Sequence, residues 1–255
     1  MATSTHGNKG GAVRTIALVG PAGTGKTSLA EALLFASGAI NRQGSVESGN
    51  TVGDSSPEAR TRGGSTELNL SHFDYMGDSF ALIDVPGGAG FAADGLAAMQ
   101  SADLALVVID PAPERAALAE PMLRQLDELG VPHVIFVNKI DKARAGAIRD
   151  LIAELQPMSR EPLALRQIPI REGDQVTGYV DLALERAYRY RPGKESERVE
   201  IPGELAALER GCVFFMLGAL SEFGKVSVTC IADTLEQAIA DYDRLVTVMD
   251  RLGSG

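Results

Sequence analysis

Cysteine and histidine are scarce in this sequence, which has two cysteines and three scattered histidines among 255 residues. Two cysteines cannot build the framework of a disulfide-rich secreted protein, and so few unclustered ligands do not suit a zinc site. No apolar run reaches the ~18 residues of a membrane span, and the polar start of the chain lacks the apolar core of a signal peptide. These absences predict a cytoplasmic protein.

Positive charge is also scarce, because 24 lysine and arginine residues face 34 aspartate and glutamate residues, a net charge of −10. A chain this acidic binds nucleic acid and anionic membranes poorly in bulk, so neither is expected as a partner. Any anion that it holds must therefore sit in a local pocket. Hydrophobic residues make up 45% and charged residues 23% of the chain, as in ordinary globular proteins.

Short apolar runs alternate with helix-favouring segments along most of the chain. This alternation predicts an α/β fold with a mainly parallel sheet flanked by helices. The predicted strands are 15–20, 67–76, 79–85, 104–109, 132–137 and 225–231, and the predicted helices are 27–37, 92–99, 113–129, 143–155, 203–222 and 234–252. A Gly-Asp pair at 77–78 is typical of a tight hairpin turn between the second and third strands.

The sequence pattern changes after Pro157. Short β-like runs around Gly173 and Gly178 predict a small antiparallel, β-rich insert. The chain is thereby expected to divide into a disordered tail, a core, this insert and a divergent C-terminal segment that completes the core. The corresponding ranges are 1–13, 14–157, 158–202 and 203–255.

Residues Gly20–Thr27 fit the phosphate-loop pattern G-x-x-x-x-G-K-[ST] between a predicted strand and a predicted helix. Such glycines allow backbone N–H groups to surround a phosphate at a helix N-terminus. Lys26 is expected to reach the β- and γ-phosphates, and the Thr27 hydroxyl is expected to bind Mg²⁺. The fold is therefore predicted to be that of a P-loop NTPase.

A second motif, Asn138-Lys139-Ile140-Asp141, follows the predicted strand 132–137. The Asp141 carboxylate can accept from N1–H and the 2-amino group of guanine in a fork that adenine cannot offer. Asn138 can bond the O6/N7 side, and the stem of Lys139 can cover the base. Alone, the motif is also compatible with an ordinary strand-to-helix turn; the upstream phosphate loop favours guanine recognition.

A third motif, Asp84-Val85-Pro86-Gly87, ends the predicted strand 79–85. A carboxylate beside a phosphate loop is placed to hold Mg²⁺, usually through water. Gly87 can offer an N–H to the γ-phosphate, and the glycine-rich segment 87–90 is interpreted as a nucleotide-dependent switch. An ordinary strand-ending turn is the alternative.

The three motifs occur in the order found in translational GTPases, and residues 14–222 resemble the G domain of elongation factor G. The insert carries this resemblance through Arg166-Gln-Ile-Pro-Ile170, Gly178-Tyr-Val-Asp-Leu182, Ala187-Tyr-Arg-Tyr190 and Glu200-Ile-Pro202, which look like the family's extra G′ subdomain. The sequence of the whole stretch is most similar to those of bacterial elongation factor G-like proteins. The range 53–63 looks like the family's first switch.

The resemblance implies GTP/GDP and Mg²⁺ as cofactors, with hydrolysis of GTP and, through the family alone, the ribosome as a partner. It implies that Ser65 binds Mg²⁺ with Thr27 and Asp84, Thr66 being the neighbouring candidate. The residues that it assigns to the nucleotide are Gly20, Gly23, Gly25, Lys26, Thr27, Ser28, Asn138, Lys139 and Asp141, with Lys26 and Gly87 acting in catalysis.

Three departures from the family pattern qualify these roles. Gly88 stands where the family has the histidine that positions the attacking water, which predicts slow intrinsic hydrolysis. Gly23 stands where the phosphate loop of the family often has an aspartate. The family's Gly-Ser-Ala guanine loop is missing, and its nearest substitute is the segment 229–232. A non-hydrolysing guanine-nucleotide-dependent binding module is therefore an alternative, and a P-loop ATPase or small-molecule kinase is a further one.

The length of 255 residues leaves room for one G domain with its insert. Elongation factor G itself carries further domains that reach into the ribosome. The expectation from sequence is thus a G domain without the remainder of a translocase, either as a fragment or as a stand-alone protein that acts through a partner.

Overall fold

Two β-sheets and four α-helices make up the described part of the protein in the computed structural model. The structure describes residues 13–53, 65–88, 92–144, 147–160, 162–182, 184–191, 194, 196–203, 205 and 227–231. The strands are β1 (Arg14–Val19), β2 (Asn69–Tyr75), β3 (Asp78–Asp84), β4 (Leu104–Ile109), β5 (His133–Val137), β6 (Leu163–Leu165), β7 (Gln167–Glu172), β8 (Gln175–Asp181), β9 (Arg186–Arg189), β10 (Glu197–Val199) and β11 (Ser227–Ile231). The helices are α1 (Lys26–Ala36), α2 (Ala92–Gln100), α3 (Glu120–Leu129) and α4 (Ala147–Leu155), with 3₁₀ helices at Pro113–Ala119, Ile140–Lys142 and Gln156–Met158.

The main sheet has seven strands in the order β2-β3-β1-β4-β5-β11-β6. Every neighbouring pair is parallel except β2–β3, which is an antiparallel hairpin. All six residues of β4 are buried, as expected for a central parallel strand covered by helices on both faces. The predicted α/β fold with a mainly parallel sheet is thereby confirmed.

Alternate residues of the central strands belong to two separate hydrophobic layers, because successive side chains of a strand point to opposite faces. On one face Leu18 and Leu106 pack with Leu29 and Leu33 of α1. On the other face Val19 and other strand residues pack against Leu123, Leu126, Leu151 and Leu155 of α3 and α4. None of the helices within the described ranges has the length and apolar character needed to cross a membrane.

Several element boundaries differ from the sequence-based expectations. Met76 and Gly77, both with positive φ, form the hairpin turn, so Asp78 belongs to β3. The helix predicted at 113–129 divides at residue 120, where Pro121 lies in the first turn of α3 and supplies no N–H to the preceding turn. The helices predicted at 203–222 and 234–252 lie almost entirely outside the described residues, as does the tail before residue 13.

The second sheet contains four antiparallel strands in the order β10-β9-β8-β7. Its own core includes Ile168, Ile170 and Val180, and Arg166 forms a buried ion pair with Asp181 at 3.0 Å. The run 163–165 was expected in this antiparallel insert. It instead forms β6, which pairs with β11 in the main sheet, with Leu163 and Ala164 buried and Leu165 partly buried. The domain division predicted from sequence stays a prediction.

Candidate nucleotide-binding site

The phosphate-loop motif connects the end of β1 to the start of α1, so that the loop lies at the carboxyl edge of the main sheet. Gly20, Gly23 and Gly25 all have positive φ angles, of 143°, 76° and 94°. Gly25 precedes the first helical residue, and a Cβ atom there would collide with the side-chain amide of Asn138. This position therefore requires glycine for its backbone conformation and for close approach. Ser28 lies half-buried in the first turn of α1.

Lys26 is folded underneath the loop, where its side chain is buried. Its Nζ donates to the carbonyls of Gly20 and Pro21, both at 2.9 Å. Burial lowers the pKa of Lys26 below its usual value, and the charge of Asp84 acts in the opposite direction. The ammonium group thus lies at the base of a glycine loop, beside a buried carboxylate.

Asp84 ends β3 and is aligned with Leu18 of the neighbouring parallel strand β1, which places it beside the phosphate loop. Only 3% of the Asp84 surface is exposed. Gly87, three residues later, lies directly against the loop. A Cβ atom on it would be 2.5 Å from the Lys26 Nζ and 2.6 Å from the Ala22 backbone nitrogen. A side chain is therefore excluded at residue 87 by its close approach to the loop.

Two of the predicted Mg²⁺ ligands lie in contact. The hydroxyl oxygens of Thr27 and Ser65, which are 38 residues apart in sequence, are 2.8 Å apart. Adjacent ligands of an octahedral Mg²⁺ with bonds of about 2.0–2.1 Å are separated by about 2.9 Å. Of the two candidates in this segment, Ser65 makes the contact to Thr27.

The chemistry of the predicted ligands, two hydroxyls and one carboxylate, fits Mg²⁺ and not a softer metal. Among the described residues, no group of three or more His, Cys, Asp or Glu side chains is placed to hold a metal ion. This composition is typical of Mg²⁺ sites that use one carboxylate and complete the coordination with phosphates and water.

The Asn138 motif leaves the end of β5 and turns back onto the phosphate loop. Asn138 Nδ2 donates to the Thr24 carbonyl at 2.8 Å, across 114 residues of sequence, and Lys139 Nζ donates to the Gly23 carbonyl. Lys139 has a left-handed backbone with φ of 55°, and Asp141 follows in the 3₁₀ helix with its side chain exposed. The predicted base-reading and phosphate-holding segments therefore form one continuous site.

Two residues in this site were missed from sequence. Asp110, which follows β4, is buried and pairs with Lys139 at 3.4 Å and with Arg115. The Arg115 guanidinium lies 3.4 Å from the Ala22 carbonyl. Asp110 thus holds two cations against the loop. Its sequence signal is the same as that of Asp84, namely an aspartate directly after an apolar strand.

The segment 229–232, the nearest substitute for the missing guanine loop, is placed differently from the expectation. Residues 229–231 belong to β11, which continues in parallel register with β5 until Ile231 pairs with Val137. They cannot form the loop that follows a strand, because their backbone is part of the ladder. A loop at this edge would begin at residue 232, outside the described residues.

Comparison with known proteins gives consistent matches. A family model described as the elongation factor Tu GTP binding domain matches residues 11–240. An elongation factor G-like protein of Synechocystis sp. is 37% identical over 211 residues, 83% of this chain and 31% of that protein. The mitochondrial ribosome-releasing factor 2 of Yarrowia lipolytica is 31% identical over 176 residues, 67% of this chain and 21% of that protein.

The fold also matches a crystal structure of a protein from Thermus thermophilus, with a TM-score of 0.78 and 28% sequence identity. That match covers 93% of this chain and 39% of the other. The chain spans less than a third of the length of either curated relative.

Proposed function

The chain belongs to the elongation factor Tu GTP-binding domain family, and from this premise we propose that it binds GTP and hydrolyses it to GDP with Mg²⁺. The family match and the Synechocystis relative confirm the resemblance to translational GTPases.

One observation carries the proposal. The Asn138–Lys139 turn donates hydrogen bonds directly to carbonyls of the phosphate loop. A nucleotide bound with its phosphates in the loop then extends its base towards Asp141. Because the carboxylate can accept a fork of two N–H groups from guanine alone, the arrangement favours GTP and GDP over adenine nucleotides.

Different residues of the chain have different roles in phosphoryl transfer. Lys26 and the backbone N–H groups of the loop bind the phosphates, and the Gly87 N–H donates to the γ-phosphate. Thr27, Ser65 and Asp84 would hold Mg²⁺, which supplies charge neutralisation on the phosphate oxygens when bound. Positioning and electrostatics account for most of the catalysis in this class of reaction.

Competition binding tests the assignment to guanine. The chain is titrated with fluorescent GDP and Mg²⁺, and the probe is then displaced with unlabelled GTP, GDP or ATP. We expect displacement by both guanine nucleotides and none by ATP at equal concentrations. Equal displacement by ATP would overturn the guanine assignment and favour the ATPase or kinase alternative.

Removal of the Ser65 hydroxyl tests the metal site. We expect Ser65→Ala to raise the Mg²⁺ concentration at half-maximal GTP binding about tenfold, since metal sites lose about 10–100-fold in affinity when a supporting group is removed. A Mg²⁺ titration of GTP binding measures this midpoint. Ser79→Ala is the matched control, because its hydroxyl bonds Asp74 on the surface of the β2–β3 hairpin. An unchanged midpoint in Ser65→Ala would contradict the role of this hydroxyl.

Gly88 has no side chain to orient water, so we propose that intrinsic hydrolysis is slow. Gly88→His is expected to raise the single-turnover rate about tenfold at saturating GTP, because a positioned group that orients or deprotonates water accelerates such reactions. Gly203→His is the control, since Gly203 is exposed and a Cβ atom added there would meet open space. A wild-type rate that is already fast and is unaffected by the change would refute the proposal.

The same residue favours a second candidate function, a binding module whose partner recognises the GTP-bound form without hydrolysis. Single-turnover assays separate the two functions. GDP formation within minutes to hours supports the GTPase, whereas GTP that stays intact while bound supports the module.

The partner that we propose is the ribosome, in the cytoplasm. The support is its similarity to an elongation factor G-like protein and to a ribosome-releasing factor. Comparison of GTP turnover with and without purified ribosomes tests this partner, and we expect a higher rate in their presence.

A further inference from the structure

The second sheet reaches the base-reading turn through one side chain. Arg171, at the end of β7, donates from Nη2 to the carbonyl of Ile140 at 3.1 Å. Its Nη1 lies 3.4 Å from the Asp174 carbonyl in the hairpin turn that follows β7. The half-buried guanidinium therefore bridges the turn of its own hairpin and the segment that carries Asp141.

An irregularity in the sheet lies at this arginine. The pairing between β7 and β8 shifts register between Ile170 and Arg171, because Ile170 pairs with Gly178 and Arg171 pairs with Val176. Thr177 is thus the extra residue of a β-bulge. Bulges redirect side chains and occur frequently next to functional sites. Val176 beside it packs against the core of the main sheet, so the bulge lies where the two sheets meet.

The turn that receives Arg171 is short and conformationally constrained. It has a single 3₁₀ turn, in which the Ile140 carbonyl also accepts from the Ala143 N–H at 3.0 Å. Lys139 before it holds a left-handed backbone, which non-glycine residues keep only when their surroundings impose it. The full burial of Ile140 and its bond from Arg171 are two of those constraints.

We propose that Arg171 is a positioning residue for guanine recognition, which holds the Ile140 carbonyl and thereby orients Asp141. The inference rests on the proposed guanine-nucleotide function. Asp141 is exposed, so its orientation towards a base depends on the backbone of this turn. The β-rich second sheet then contributes to nucleotide selectivity without contacting the nucleotide.

Selectivity between GDP and inosine diphosphate tests this role. Inosine keeps N1–H but lacks the 2-amino group, so it uses half of the Asp141 fork. We expect Arg171→Ala to raise the dissociation constant of GDP about fivefold and that of inosine diphosphate less than about twofold. Arg171→Lys, which keeps a cationic donor, is expected to recover part of the GDP preference.

Arg189→Ala is the matched control, because Arg189 lies in the same sheet and bonds Glu172 on its surface. It should leave both dissociation constants unchanged. Thermal unfolding of each variant identifies any loss of folding, and the lysine variant provides the test if Arg171→Ala does not fold. Equal weakening of both nucleotides, or no weakening of GDP, would overturn the inference. Failure of the wild-type chain to bind GDP would instead refute the proposed function.

Discussion

Lys26→Ala is expected to raise the dissociation constants of GDP and GTP at least about a hundredfold, or about 2.7 kcal/mol. Hydrogen bonds to charged groups contribute about 1.5–3 kcal/mol each, and Lys26 is predicted to donate to the β-phosphate of both nucleotides and to the γ-phosphate of GTP. Its ammonium group is already enclosed under the loop, with 2.9 Å bonds to the carbonyls of Gly20 and Pro21. Lys26→Ala therefore removes a cation that the loop already holds in place before a nucleotide binds.

Folding must be checked in this variant, because Lys26 lies beside the buried carboxylate of Asp84. Lys26→Met, which keeps most of the side-chain volume, is measured together with the alanine variant, each by thermal unfolding and by displacement of fluorescent GDP. Lys142→Ala removes an exposed lysine near the same site and should leave affinity within about twofold. Folded Lys26 variants with wild-type affinity would contradict the phosphate-loop assignment.

Asp141→Asn is expected to weaken GDP binding by about a hundredfold to a thousandfold and to strengthen binding of xanthosine diphosphate. The amide keeps one acceptor oxygen but loses the negative charge, and its NH₂ group opposes the 2-amino group of guanine. Two charge-assisted bonds are weakened together, at about 1.5–3 kcal/mol each. Xanthine has a carbonyl where guanine has the 2-amino group, so it can accept from the new amide.

The reversal of preference is a stronger test than the loss of affinity, since a damaged site cannot gain affinity for a new base. Isothermal titration with the two diphosphates measures the ratio directly. Asp150→Asn is the matched control, because Asp150 pairs with Arg144 on the surface of α4, outside the base-reading turn. An unchanged preference for GDP in Asp141→Asn would count against guanine recognition by this motif.

Local motifs made much of this protein predictable from sequence. The loop at residues 20–27 was recognisable because its spacing is set by the geometry of a phosphate, and buried strands such as β4 were recognisable as uninterrupted apolar runs. The nucleotide roles of the site residues remain predictions. Asp110 could have been found by the signal that identified Asp84, whereas Arg115 carries no such pattern.

Contacts between distant segments could not be predicted in the same way. The run 163–165 has the composition of a strand, but its partner is β11, which lies far along the chain. Thr27 and Ser65 both carry hydroxyl groups, and only the fold brings these to 2.8 Å. Neither composition nor periodicity indicates which strand the run 163–165 will pair with, or which hydroxyl group will contact Thr27.

The phosphate loop, the base-reading motif and the alternation of strands and helices follow from the sequence alone, because turn geometry and hydrophobic periodicity act over a few residues. The choice of sheet for β6, the Asp110 contacts to Lys139 and Arg115, and the reach of Arg171 to Ile140 were decided by tertiary structure. These features depend on strand register and on a β-bulge, which result from packing over the whole domain. The residue types of the proposed site are therefore recognisable from short stretches of sequence, whereas their placement relative to one another depends on the packing of the whole domain.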